Sequence, residues 1–150
     1  MRPLYLLVTA IVLGCSPTLR GSANDYIYDK DVQTLLRTAY FGFGLVGASP
    51  RGITEGEGAL RRIMKSDEAM KFLMPVFEHG TPEGKCYALI GFRLLSPSYF
   101  ESSCKRVSQW NNSKIKSFSG CIILDLTLRD VVQAIREGRY DDEVLGGKTE

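Results

Sequence analysis

Five helix-start signals follow one another along this chain, and they constrain its fold more than any other feature. Thr54 with Glu57, Ser66 with Asp67 and Glu68, Thr81-Pro82-Glu83, Ser98 with Glu101, and Thr127 with Asp130 each set a hydroxyl ahead of an acid. The hydroxyl accepts from an amide that the first helical turn leaves free, and the acid meets the positive end of the helix dipole. Gly80 and Gly138 supply matching stops, since glycine readily ends a helix. Helices started and stopped this often are short, and short connections turn successive helices back on each other. The expected fold class is mainly α: about six short helices in antiparallel pairs, helical-repeat-like, with one small β-hairpin near the C-terminal end. No regular period marks the chain as a solenoid.

Apolar spacing fills in the elements. Val32, Leu35, Leu36, Ala39 and Phe43 recur at helical intervals and predict a first helix from about Asp29 into the GFGLVG stretch. Leu60, Ile63 and Met64 give a second, and Met70, Leu73 and Phe77 a third that Pro75 is expected to kink or split. The segment CYALIGFRLL is apolar nearly all round, with Arg93 its only charge, which marks the central helix. Phe100, Cys104 and Val107 form the inner face of a fifth. The period then changes: Ile115 and Phe118 interleave with Lys114, Lys116 and Ser117, and CIILDL follows Ser119-Gly120 as a strand expected to be buried. Val131, Val132 and Ile135 define the last helix, and the polar stretch from Arg139 reads as a frayed tail.

A chain of 150 residues is one domain's worth. The expected organisation is a leader at 1–14, a flexible tether at 15–25, a single helical domain at 26–138 and a polar tail at 139–150. Lys and Arg number 19 against 17 Asp and Glu, interspersed, for a net charge of +2. That balance lacks the basic excess that phosphate-backbone binding leaves in composition, so nucleic acid is not an expected partner.

The leader sets the address. Met1 and Arg2 give a positive start, and Leu4 to Leu13 run ten residues without a charge. At about 1.5 Å per residue such a helix falls short of a hydrocarbon core roughly 30 Å thick, but it suits a signal peptide. Val12-Leu13-Gly14-Cys15 resembles the bacterial lipobox. The resemblance implies cleavage before Cys15, acylation of its sulfur, and retention at a membrane through chains that contribute about 0.8 kcal/mol per buried CH₂. Ser16 after it implies the outer membrane, facing the periplasm. The alternative is a secreted or soluble periplasmic protein cut after Ala23, because Gly21-Ser22-Ala23 also has the small-x-small form.

An exported chain keeps disulfides. Apart from Cys15 there are Cys86, Cys104 and Cys121. One bridge is expected, with a contribution of about 3 kcal/mol; Cys104 with Cys121 is the favoured pair and Cys86 the alternative member. The remaining thiol is expected to be a buried structural one rather than a nucleophile. His79, the only histidine, precedes Gly80 at a helix end, where the dipole favours a cation. It has no partner residues at zinc-like spacing, so no metal is expected.

Gly42-Phe43-Gly44-Leu45-Val46-Gly47 matches G-x-G-x-x-G literally, but it ends a helical pattern instead of joining a strand to a helix, so no nucleotide is expected. Trp110 with Lys105, Arg106, Lys114 and Lys116 is the densest basic and aromatic neighbourhood, a candidate surface for a partner or for anionic lipid. Asn111-Asn112-Ser113 fits a glycosylation sequon, which matters only in a eukaryotic source.

The segments FGFGLVGASPRGITEGEGALRRI, TPEGKCYALIGFRLL with SPSYFE, and SGCIILDLTLRDVVQAIREGRY resemble a family of small exported bacterial proteins of unknown function. That resemblance implies no catalytic residues. The expected function is a non-enzymatic envelope lipoprotein without cofactor, held to the membrane by its lipid and bound to another envelope protein. The alternatives are a small envelope enzyme or redox protein using an unpaired cysteine, and an inhibitor or immunity-type protein.

Overall fold

The computed structural model describes residues 23–44, 52–107, 113–119 and 122–146. The elements are α1 (Ala23–Arg37), α2 (Glu55–Ile63), α3 (Ala69–His79), α4 (Pro82–Leu95), α5 (Pro97–Val107), β1 (Lys114–Ser119), β2 (Ile122–Thr127), α6 (Leu128–Arg136) and α7 (Asp141–Leu145). The fold is mainly helical with one two-stranded antiparallel hairpin near the C-terminal end, the class that the start signals and the change of period predict.

The local chemistry explains three of the starts directly. Thr54, Thr81 and Thr127 are N-caps whose hydroxyls accept from the amides of Glu57, Gly84 and Asp130. Thr127 also donates to the Asp130 carboxylate at 2.6 Å. Pro82 takes the first position of α4, where its missing N–H costs nothing.

Helix α4 is the centre. Its residues Cys86 to Phe92 are all buried, because α1, α2, α3, α5, α6 and β1 all pack around it. Glycine lets two neighbours approach closely: Gly84 lies against the Leu35 carbonyl of α1, and Gly91 against the Leu73 side chain of α3. Phe77 and Phe92 meet edge to face at 5.5 Å, and Phe92 meets Tyr99 of α5 at 4.8 Å.

Several elements depart from the expectations. α1 starts at Ala23, inside the stretch expected to be tether, and stops at Arg37. Ala39 and Phe43 are therefore not on it: the chain turns out extended, and Phe41 pairs with Ser117 beside β1. α3 runs unbroken through Pro75. It begins three residues after Ser66, whose hydroxyl accepts from Glu68 ahead of the helix. α5 opens at Pro97, so Ser98 and Glu101 form no capping box, and Glu101 instead receives Arg136 of α6.

The expected tail contains α7, with Val144 buried and Asp141 held by an ion pair to Arg93 of α4. Tyr140 ahead of it packs on Phe41 and Phe43 at 5.2 and 5.1 Å. Among the described residues no helix is long and apolar enough to cross a membrane.

Candidate functional site

β1 is fixed to the body from both sides. Ile115 is buried in the core. The Phe41 amide donates to the Lys116 carbonyl at 2.8 Å, and the Phe118 amide to the Phe41 carbonyl at 3.1 Å. The Lys116 amide donates to the buried Glu83 carboxylate of α4 at 3.1 Å. The backbone groups of Lys116 and Phe118 therefore point away from β2, and those of Ile115 and Ser117 point toward it.

The antiparallel register sets Ile115 opposite Leu126, Lys116 opposite Asp125, Ser117 opposite Leu124 and Phe118 opposite Ile123. By alternation, Leu124 and Leu126 bond back to β1, while Ile123 and Asp125 turn both N–H and C=O to the outer edge. The Leu128 amide, donated to Ser113 at 3.1 Å, continues the same parity. Among the described residues no strand lies on that outer edge.

The side chains of this strand are also open. Ile122 is 63%, Ile123 53% and Leu124 41% exposed. This corrects the expectation of a buried strand: the hairpin's place in the core is taken by Ile115 of β1, and the first three residues of β2 stay open. Exposed aliphatics standing singly are ordinary, but three in succession on a strand edge form a template for pairing. Among the described residues the other large exposed apolar side chains, Tyr40, Ile53, Met74, Leu95 and Leu145, lie on other segments.

The basic residues singled out in the sequence do not form one cluster. Lys114 and Lys116 lie on β1 beside Asp125, with Lys114 Nζ 4.0 Å from its carboxylate. Arg106 turns toward α3, forking onto Glu78 with both contacts at 2.7 Å and stacking over Phe77. Its guanidinium holds the Glu78 carboxyl below the usual range. Lys105 lines a groove between α5 and α6. Trp110, Cys121 and Cys15 lie outside the described residues, as does the stretch from Leu45 to Gly47.

That groove has a volume of about 980 Å³, an apolar floor of Cys104, Val107, Leu128 and Val132, and a charged rim. The Arg136 guanidinium bridges it to Glu101 with two contacts of 3.1 Å, which lowers the Glu101 carboxyl. Among the described residues Cys104 and Cys86 are free and buried, so no bridge joins these two; the expected pairing of Cys104 with Cys121 lies outside the described residues. Burial pushes the Cys104 thiol up to about 11, against a small opposing pull from Arg136. Burial, with Glu83 nearby, raises Cys86 as well. Thiolate is the nucleophilic form, so neither residue is activated at neutral pH. His79 is the exposed last residue of α3.

A buried polar network escaped the sequence reading. The Tyr87 hydroxyl accepts from the Gly42 amide at 3.0 Å, donates to the Gly42 carbonyl at 2.9 Å and meets Thr54 Oγ1 at 3.0 Å. Glu57, fully buried, accepts from the Gly44 amide at 3.0 Å. Its other oxygen lies 2.6 Å from Arg61 Nη2 as an ion pair without hydrogen-bond alignment.

Glu57 thus leaves the capping box half-made, with its carboxylate turned inward to the Gly42–Gly44 segment instead of back to Thr54. The amides of Gly42 and Gly44 are bonded to Tyr87 and Glu57. Burial raises the Glu57 carboxyl, more than Arg61 and the Gly44 amide lower it. The one signal available in sequence was a tyrosine in the most apolar helix, because a buried phenol needs a polar partner. Among the described residues no three of His, Cys, Asp and Glu gather as metal ligands.

The chain matches no family model, no curated protein and no solved structure.

Proposed function

We propose that this chain is an exported, lipid-anchored, non-enzymatic module of the bacterial envelope, and that it acts by pairing a protein strand to the outer edge of β2. The observation that carries the reading is the edge itself: Ile122, Ile123 and Leu124 exposed in succession, with the backbone groups of Ile123 and Asp125 turned outward. Edge strands of this kind are ordinarily shortened, charged or covered, so one left apolar and open suits an element kept for recognition. The lipobox-like stretch before Cys15 supports the address. The alternative of a cysteine enzyme gains nothing from Cys86 or Cys104, whose thiols burial holds protonated.

Two measurements test the parts separately. For the address, the intact mass of membrane-extracted protein is expected to show cleavage before Cys15 and added fatty acid, both lost in Cys15→Ser. A full-length, unacylated chain in the cytosol would overturn it. For the module, a photo-crosslinking amino acid at Ile123 in living cells is expected to give a discrete protein adduct, and Asp125→Pro is expected to abolish it. The absence of any adduct, or an adduct indifferent to that substitution, overturns the pairing.

A further inference from the structure

We infer that the strand completing the β2 edge is β2 of a second copy of this chain, paired antiparallel across a two-fold axis through Leu124. The inference rests on the reading of that edge as a docking surface. A matching strand must present its own outward groups at the same alternating positions, and a second β2 does so through Ile123 and Asp125.

The register follows from charge and overlap. With Ile123 opposite Asp125 of the second copy, two residue pairs each exchange both backbone hydrogen bonds. Leu124 then meets its own counterpart in the closer type of pair, with Cα atoms about 4.5 Å apart. Ile122 faces Leu126 on the same side, so the exposed ends of both hairpins share one aliphatic strip. Sliding the pairing by two residues one way sets Asp125 against Asp125, and like charges directly opposite are destabilising. Sliding it two the other way runs Asp125 and Leu126 past the start of the partner strand at Ile122.

The edge carries a single charge, Asp125, which already has Lys116 opposite it in the hairpin. It therefore has little to select a charged peptide, whereas its aliphatic face matches a copy of itself. Because the contact is isologous it closes as a dimer, consuming both edges and leaving none to propagate.

The test is the mass of the full chain in solution, by light scattering with any detergent subtracted. Two chains per particle are expected. Asp125→Pro, which removes an outward N–H and leaves the β1–β2 ladder intact, is expected to give one chain, with unchanged helical circular dichroism. Leu124→Lys, which sets two ammonium groups on the axis while keeping every amide, serves if the proline variant misfolds, and it too is expected to be monomeric.

Under copper-phenanthroline oxidation, Leu124→Cys is expected to form an inter-chain disulfide beyond the parent background, and Ile123→Cys is not. A parent chain that stays monomeric, a dimer untouched by both variants, or crosslinking through position 123 instead of 124 overturns the inference. A monomeric parent that still gives an Asp125-dependent adduct with a different protein in cells would overturn self-pairing alone and leave the docking role standing.

Discussion

The Tyr87 ring covers Gly56 so closely that a Cβ at position 56 would lie 2.5 Å from its Cε2. Within the same helix, Gly58 has only the flexible Arg62 guanidinium at 3.4 Å and the Ile53 methyl at 3.6 Å. Alanine gains up to about 1 kcal/mol over glycine in a helix interior, while forcing an extra carbon into a packed core costs about 1–3 kcal/mol. Gly56→Ala is therefore expected to lower the unfolding free energy, because Tyr87 cannot move without breaking its bonds to Gly42. Gly58→Ala is expected to be neutral or stabilising. Urea titrations of the two variants check the contrast, and equal effects would contradict the packing.

The Tyr87 hydroxyl is the hub of the buried network, and burial pushes its pKa up to about 12. Tyr87→Phe keeps the ring and leaves the Gly42 amide without its buried acceptor, a loss worth about 1–3 kcal/mol. Thr54→Val removes both the α2 cap and a contact to the same hydroxyl. The double variant is expected to cost less than the sum of the singles, by about 0.5 kcal/mol or more, since the two side chains share partners. Strict additivity in a double-mutant cycle would show that the hydroxyls act independently.

Glu57 gives a pH dependence of defined sign. Its carboxyl is raised above 4.5 in the folded chain, chiefly by burial, so the folded state holds the proton more tightly than the unfolded state. Its contribution to stability is then fullest below that value and is lost as pH rises through the folded pKa. Glu57→Gln retains an oxygen for the Gly44 amide and removes the titration. The stability of the Gln variant relative to the parent is expected to climb as pH rises from 4.5 toward neutral. Glu78 and Glu101, whose carboxyls are lowered, act in the opposite sense but are present in both proteins and cancel in the difference. A flat difference across that window would refute the assignment.

What the sequence made legible was local. Thr54, Thr81 and Thr127 cap because hydroxyl and amide lie three residues apart, and the hairpin shows itself through its change of period. The errors came from contacts distant along the chain. Ala39 and Phe43 stand three and seven residues after Leu36, at helical spacing, yet Phe43 is packed by Tyr87 and Tyr140 and not carried on a longer α1. β2 reads as a buried strand because CIILDL is an almost unbroken apolar run, and a run of that kind says nothing about whether another element covers it. The Glu57 carboxylate looked like half of a capping box because nothing near it in sequence reveals the Gly44 amide it serves.

The thiols separate the two functional readings. In the native chain under reducing conditions, maleimide is expected to leave Cys86 and Cys104 unmodified, as located by peptide mapping, and to modify both after denaturation. Rapid native labelling of Cys104 would mean that the floor of the α5–α6 groove is open to reagents and that its thiol is more acidic than its surroundings imply.

Tyr140 ties the last segment of the chain to the core, and that tie decides whether the stretch beyond Gly138 belongs to the fold. Its ring meets Phe41 and Phe43, Val144 is 6% exposed, and Asp141 pairs with Arg93. A tail that merely frayed could be removed without consequence. Tyr140→Ala, by contrast, takes an aromatic side chain from a cluster that also holds Phe41 against Tyr87, at a cost of about 2 kcal/mol or more. The backbone N–H and C=O of Phe41 both bond to β1, at Lys116 and Phe118, so the loss should reach the hairpin. Amide exchange at Phe118, whose N–H donates to Phe41, is expected to accelerate in Tyr140→Ala. Exchange at Leu60, in the middle of α2, is expected to change less. If Phe118 kept its protection, the C-terminal segment would be packed on the body without supporting the strand edge.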